Sequence, residues 1–258
     1  MLTNLQLVKP FKRYLRQTWL YPAKVWVERH SPLAVRHYQK SLAFYSQFIK
    51  SGDLCFDVGA NVGNRTEIFA SLGAKTICVE PQESCLNRLH QRFDQDQNVI
   101  IIDKAVSDHE GFAELSICED ISAISTLSAR WKQDGRFSGD FEWSKTQLVA
   151  LTTLDELIQA YGLPNFCKID VEGFEVSVLK GLTKQIPFLS FEFNVELLNE
   201  AEDCANHLQT IASAEFNYSI GESMELVFSD WVNSSELFKS LKQSDDELLW
   251  GDIYVKLG

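Results

Sequence analysis

From residue 54 onward, apolar positions alternate between two patterns. Compact apolar runs at Leu54–Val58, Lys75–Val79 and Val99–Ile102 predict strands. Helical spacing between them predicts helices over Asn64–Leu72, stopped by Gly73, and over Ser84–Phe93. This order predicts right-handed βαβ units and therefore a parallel sheet. The pattern resumes at Thr153, a cap for a short helix with Asp155 and Glu156 in its first turn. A strand at Phe166–Val171, a helix at Glu175–Leu182, a strand at Phe188–Phe193 and a helix at Glu200–Ala212 follow. Phe216–Ile220, Glu225–Phe228 and Ile253–Leu257 predict closing strands around a short helix. Upstream, Leu33–Ile49 predicts a helix, and Pro22 and Pro32 break the first forty residues into pieces. Phe112–Cys118 alternates weakly, as an added antiparallel strand would. Residues 119–146 are polar and contain Gly135 and Gly139, which predicts a lid or substrate loop. The expected division is a basic helical extension over 1–50 and one α/β domain over 51–258.

With 258 residues, 45% of them hydrophobic, the chain can bury the core of such a domain. Charge changes the picture of its partners. The net charge is −12, yet residues 1–40 hold eight Lys or Arg and a single acid, Glu28. The acidic body excludes nucleic acid as the expected partner. Phe11, Leu15 and Trp19 recur at helical spacing among Lys9, Lys12, Arg13 and Arg16. That stretch reads as a surface helix docked on its own acidic domain, with contact to an anionic membrane through residues 5–20 as the alternative. The six cysteines occur singly, without a CxxC pair, and read as small buried hydrophobes of a reduced cytosolic protein. Neither a spanning run nor an apolar leader follows the basic start, so a cytoplasmic location is expected.

Candidate chemistry gathers at the predicted strand ends. Asp57-Val58-Gly59-Ala60-Asn61-Val62-Gly63 joins a strand to a helix, and the second strand ends at Glu80-Pro81. Ligands of parallel sheets bind at such carboxyl tips. A nicotinamide turn would place glycine where Asn61 stands, and Asp57 would repel a pyrophosphate. An acid there suits a ligand carrying an ammonium and a sulfonium, while Glu80 suits ribose hydroxyls. S-adenosylmethionine has all three groups and is the expected cofactor. Asp103, Lys104 and Ala105 end the third strand, near the expected adenine. Lys168-Ile169-Asp170-Val171-Glu172-Gly173-Phe174-Glu175 ends a central strand and brings acids beside the cofactor; strand alternation puts Lys168 and Asp170 on one side.

These segments resemble the FkbM-type S-adenosylmethionine-dependent methyltransferases. Asp57–Gly63 is similar to that family's first motif, Glu80-Pro81 to its second-strand acid and Ala105-Val106-Ser107-Asp108 to its third-strand segment. Thr153-Leu154-Asp155 with Lys168–Gly173 and Glu175 resembles its most specific stretch, and Phe191-Glu192-Phe193 its next strand. The resemblance covers about residues 50–195. It implies a Rossmann-like class I methyltransferase fold: a seven-stranded, mostly parallel sheet, an antiparallel last hairpin and helices on both faces. It also implies O-methylation of a hydroxyl on a sugar, glycan or natural product, a small-molecule or glycan acceptor.

An attacking hydroxyl gains acidity, so a general base is expected. Asp170 or Glu172 is the first expectation, Glu192 the next, with Lys168 orienting Asp170. Asp170, Glu172 and Glu192 can approach one another, but no further ligand signature accompanies them, and no metal is expected. His30 and His37 lie in the extension and His109 in a predicted turn, so none is the expected base. Ser122, Ser125, Thr126, Ser128, Trp131, Phe137, Phe141 and Trp143 either grip a sugar ring or form a surface hairpin covering the sheet. Two other readings compete: a non-catalytic nucleoside-binding module that recruits a partner through its basic N-terminus, and a nicotinamide oxidoreductase, which Asn61 and Asp57 both disfavour. Oligomeric state is not legible.

Overall fold

The computed structural model describes residues 31–119, 122–137 and 141–258. Phe11, Leu15, Trp19, His30 and the basic stretch around them lie outside the described residues, as does Gly139. The chain divides into two compact units, Met1–Ala43 and Phe44–Gly258. Helix α1, Pro32–Tyr45, runs across that division. Phe44, Tyr45, Phe48 and Ile49 are buried within the second unit. Phe48 stacks on Phe166 and Tyr254, with ring centroids 5.6 and 5.4 Å apart.

The second unit is built on seven strands: β1 Leu54–Val58, β2 Lys75–Val79, β3 Val99–Ile102, β7 Phe166–Ile169, β8 Phe188–Asn194, β9 Ala214–Ile220 and β10 Trp250–Leu257. Their order is β3-β2-β1-β7-β8-β10-β9. All neighbours are parallel except β10, which runs antiparallel to both β8 and β9. This is the class I methyltransferase arrangement. Four expected strands match closely at β1, β2, β3 and β8, where apolar runs lie between layers on both faces.

Alternation assigns the two faces. Phe56, Val58, Ile77, Val79, Cys167 and Ile169 enter one large core. There they meet Leu154 and Leu157 of α5 (Leu154–Tyr161), Val178 and Leu179 of α6 (Glu175–Lys180) and Ala201, Cys204 and Leu208 of α7 (Leu198–Ile211). Leu237 and Leu241 of α8 (Ser234–Lys242) extend it. On the other face Cys78 packs with Leu86, Leu89 and Phe93 of α3 (Glu83–Phe93). Phe69 of α2 (Asn64–Ser71) meets Phe166 there, 5.7 Å between centroids. All six cysteines are free and buried.

Phe112–Cys118 is the expected antiparallel strand: β5, Gly111–Ile117, pairs antiparallel with β6, Lys145–Thr152, which also takes β4, Ala105–Val106, in parallel, in a second sheet. Strand β6 is hard to see in the sequence because Leu148 is exposed and only Val149, Leu151 and Thr152 turn inward. Two expectations change. The 119–146 segment contains ordered pieces, a 3₁₀ turn at Ser122–Ile124 and helix α4 at Ala129–Asp134, capped by Ser128. Glu225–Phe228 is not a strand: Val227 and Phe228 donate to the Tyr218 carbonyl and the Asn217 side chain, so the side chain of Asn217 replaces a ladder.

Candidate active site

The tips of β1, β2 and β7 border an open cleft whose empty space, counted out into solvent at its mouth, is about 710 Å³. The turn after β1 sets its floor. Gly59, Asn61 and Gly63 all have positive φ, at 77°, 49° and 80°. Asn is among the few non-glycine residues enriched in that region, which explains how Asn61 holds a position where a dinucleotide turn carries glycine. A Cβ on Gly59 would sit 1.8 Å from the Asp170 carbonyl oxygen, so this glycine lets two strand tips close together. A Cβ on Gly63 would meet Phe93 and Leu89 at 2.5 and 2.7 Å.

Glu80 binds the turn in place. Its Oε2 accepts the Asn61 backbone N–H and its Oε1 the Gln82 backbone N–H, both at 2.8 Å. Burial pushes its carboxyl up to about 7; the two N–H donors oppose the shift, and the negative charges of Asp57 and Asp170 add to it. Glu80, Pro81, Lys104 and Ala105 line the cleft with Gly59, Asn61 and Asp170.

Four residues expected at the cofactor lie outside that lining: Asp57, Ala60, Gly63 and Asp103. Asp57 precedes the strand end by one residue, and Thr66 of α2 donates its hydroxyl to Asp57 Oδ2 at 2.5 Å. Its side chain is buried there. Ala60 and Gly63 pack against the α3 side chains instead. Asp103 is exposed, because strand alternation turns it from the cleft that Lys104 enters.

The acidic centre closes the other end. Lys168, buried on β7, donates to Asp170 Oδ2 at 2.8 Å and to Asp252 Oδ1 at 3.4 Å. Burial alone would lower the Lys168 ammonium, but Asp170 and Asp252 outweigh it and hold the group well above the usual lysine range. Asp252 is the partner that sequence reasoning misses; its signal is an acid at the start of an apolar closing strand. Glu172 has a φ of 55°, and Thr126 donates to its carbonyl at 2.7 Å. The Glu175 carboxylate accepts the Val171 and Gly173 N–H groups at 3.0 and 3.4 Å, bracing the turn from inside. Carboxylate oxygens of Asp170, Glu172 and Glu192 lie within 4.8 Å of one another. Burial, then mutual repulsion within this group, pushes Glu172 and Glu192 well above the usual carboxylate range.

The central loop splits between its two expected roles. Ser122, Ser125 and Thr126 line the cleft. Trp131 is buried; Phe137 meets it edge-on at 6.2 Å and Phe141 packs on Phe137. Trp143 donates its indole N–H to the Ile124 carbonyl at 2.8 Å. These aromatics therefore hold the loop. The basic extension and His30 stay outside the described residues, and among those residues no helix is long and apolar enough to cross a membrane.

The Glu80 carboxyl gives the cleft a pH signature. Its folded pKa stands above the ordinary 4.5, so the protonated form stabilises the fold below pH 4.5 and that contribution is lost as pH rises through about 7. A ribose hydroxyl placed at Glu80 would donate to the ionised form. Cofactor affinity should therefore rise about tenfold from pH 6 to pH 8, with proton release on binding. Titration calorimetry in buffers of differing ionisation enthalpy reads both.

Comparison with known proteins supplies the family context. The description "Methyltransferase FkbM domain" matches residues 57–220. A curated relative, the hexuronic acid methyltransferase AglP of Haloferax volcanii, is 30% identical over 142 residues. That match takes in 54% of each chain, so this chain spans about half the length of the relative it matches. Among solved structures, a precorrin-6y C5,15-methyltransferase of Geobacter metallireducens aligns with TM-score 0.46 at 8% identity, over 86% of this chain and 87% of that one. Aeropyrum pernix fibrillarin, with natively bound S-adenosyl-L-methionine, aligns with TM-score 0.41 at 10% identity, over 85% and 75%. The fold assignment rests on the strand order above.

Proposed function

Because the chain belongs to the FkbM methyltransferase family, whose cofactor is S-adenosylmethionine, we propose that it O-methylates a hydroxyl group of a sugar or sugar acid. The observation that carries this reading is that Asp170 and Glu172 line the cofactor cleft, with a Glu192 carboxylate oxygen within 4.8 Å of theirs. The cofactor supplies an electrophilic methyl that is already activated. The chain has to hold the donor, line up an acceptor oxygen and receive its proton. Glu80 takes the ribose hydroxyls, and the Gly59 turn admits the donor close to the backbone. Lys168 fixes Asp170 by one carboxylate oxygen, and Asp170 is the base we assign, with Glu172 and Glu192 beside it. The acceptor O–H bond breaks toward a carboxylate as the O–CH3 bond forms and the S–CH3 bond is lost. A sugar acid is the favoured acceptor class because the relative AglP carries that activity in its name.

The test uses methyl-labelled S-adenosylmethionine with glucuronosides, galacturonosides and neutral hexosides. The expected product is a methyl ether that survives mild alkali. An alkali-labile methyl ester would move the reaction to the carboxyl group. No transfer to any of them, with the demethylated cofactor still bound, would favour the nucleoside-binding module.

A further inference from the structure

Most carboxylates along the sheet edge are supplied with donors. Asp57 has Thr66, Glu80 has two backbone N–H groups, Glu175 has two more, and Asp252 shares Lys168. Glu192 differs. Its Oε2 is buried and has no hydrogen-bond partner. A buried, unpartnered carboxylate oxygen is costly to leave unsatisfied, and this one belongs to the group whose oxygens lie within 4.8 Å of one another.

Its position is equally specific. Asp170 and Glu172 line the cofactor cleft. Glu192 lines a second, shallow depression with Trp131, Asn194 and Glu200. The three carboxylates thus stand where the two spaces adjoin. Lys168 is engaged by Asp170 and Asp252, and Arg136 forms its ion pair with Glu196 at 2.9 Å. Neither cation is committed to Glu172 or Glu192.

We propose that Asp170, Glu172 and Glu192 bind one hard divalent cation, of the Mg²⁺, Mn²⁺ or Ca²⁺ class. The ligand set is all oxygen, as such ions require. Three oxygens within 4.8 Å of one another lie no farther than about 2.8 Å from a common centre, so small side-chain rotations bring all three to the ~2.4 Å of an ion–oxygen contact. Three protein ligands leave further coordination positions open. The strained backbone of Glu172, held by the Thr126 hydroxyl, aims one ligand from a short turn rather than from a strand. This replaces the metal-free expectation of the sequence, where Glu192 is separated from Asp170 by a helix and only parallel pairing of β7 with β8 brings them together. The site stands as a binding site by itself. Its use in holding acceptor oxygens rests on the O-methyltransferase reading above and, with Asp170 held by Lys168 and the ion, would replace Asp170 as the free base by ion-assisted loss of the acceptor proton.

The probe is Mn²⁺ alone, added to chelator-dialysed full chain and followed by the electron paramagnetic resonance of the free ion. One saturable site is expected. Glu192→Gln and Glu172→Gln should each weaken it by about tenfold or more, because affinity follows the count of charged ligands. S-adenosylhomocysteine titration reports that these variants remain folded. Glu196→Gln, outside the group, should keep wild-type Mn²⁺ affinity. Absence of saturable Mn²⁺ binding up to millimolar concentration, or unchanged affinity in Glu192→Gln, would overturn the proposal. If Mn²⁺ does not bind while methyl transfer persists in chelator, the cation site falls and the functional reading stands. If Mn²⁺ binds but S-adenosylhomocysteine does not, the reverse holds.

Discussion

Alanine at Gly59 should destabilise the protein by about 3 kcal/mol or more and abolish cofactor binding. Two costs combine. A left-handed φ of 77° costs an L-residue roughly 1–2 kcal/mol. The new Cβ would also lie 1.8 Å from the Asp170 carbonyl oxygen, so β1 and β7 must part at their tips. That movement displaces Asp170 and the turn carrying Glu172. At roughly 2–4 °C per kcal/mol for a domain of this size, the melting temperature should fall by ~6–12 °C. Gly52 provides the control. Its φ is 89°, but a Cβ there meets nothing within 4 Å. Gly52→Ala should show only the backbone cost and bind cofactor normally. Scanning calorimetry of both variants decides; equal destabilisation would remove the close approach from the account.

Asp170→Asn should lower turnover by roughly 10²–10³-fold, within the span typical of a removed general base. Affinity for S-adenosylhomocysteine should change by no more than about threefold, because that ligand has no methyl and makes no demand on the base. The variant keeps the shape of the side chain, and Lys168 retains Asp252. Single-turnover rates beside titration calorimetry separate the two effects. Equal losses in turnover and affinity would make Asp170 a cofactor ligand instead.

Much of this site is legible in the order of residues alone. The strand tips stand out because a strand covered on both faces is a continuous apolar run, and an acid or glycine ending such a run is conspicuous; β1 and β2 end this way at Val58-Gly59 and Val79-Glu80. What stays hidden is long-range. Asp252 reaches Lys168 from β10 across the sheet, 84 residues away in the chain. Strand β6 carries an exposed Leu148 that blurs its alternation. Asp57 stands at the motif's start, and the partner of its Oδ2, Thr66 nine residues on, is one that no strand pattern announces. Glu175 is legible as a helix-start acid but not as the brace of the Glu172 turn, since the backbone donors it accepts from converge only when that turn forms.

The central claim is that one carboxylate beyond β2 receives the ribose of a methyl donor. Calorimetric titration of S-adenosylhomocysteine into the wild-type and Glu80→Gln proteins, at pH 6 and pH 8, tests it most directly. The account predicts one site in the wild type, tighter at the higher pH, and weaker binding in Glu80→Gln with that pH dependence gone. Equal affinities in the two proteins, or no binding by the wild type, would contradict it.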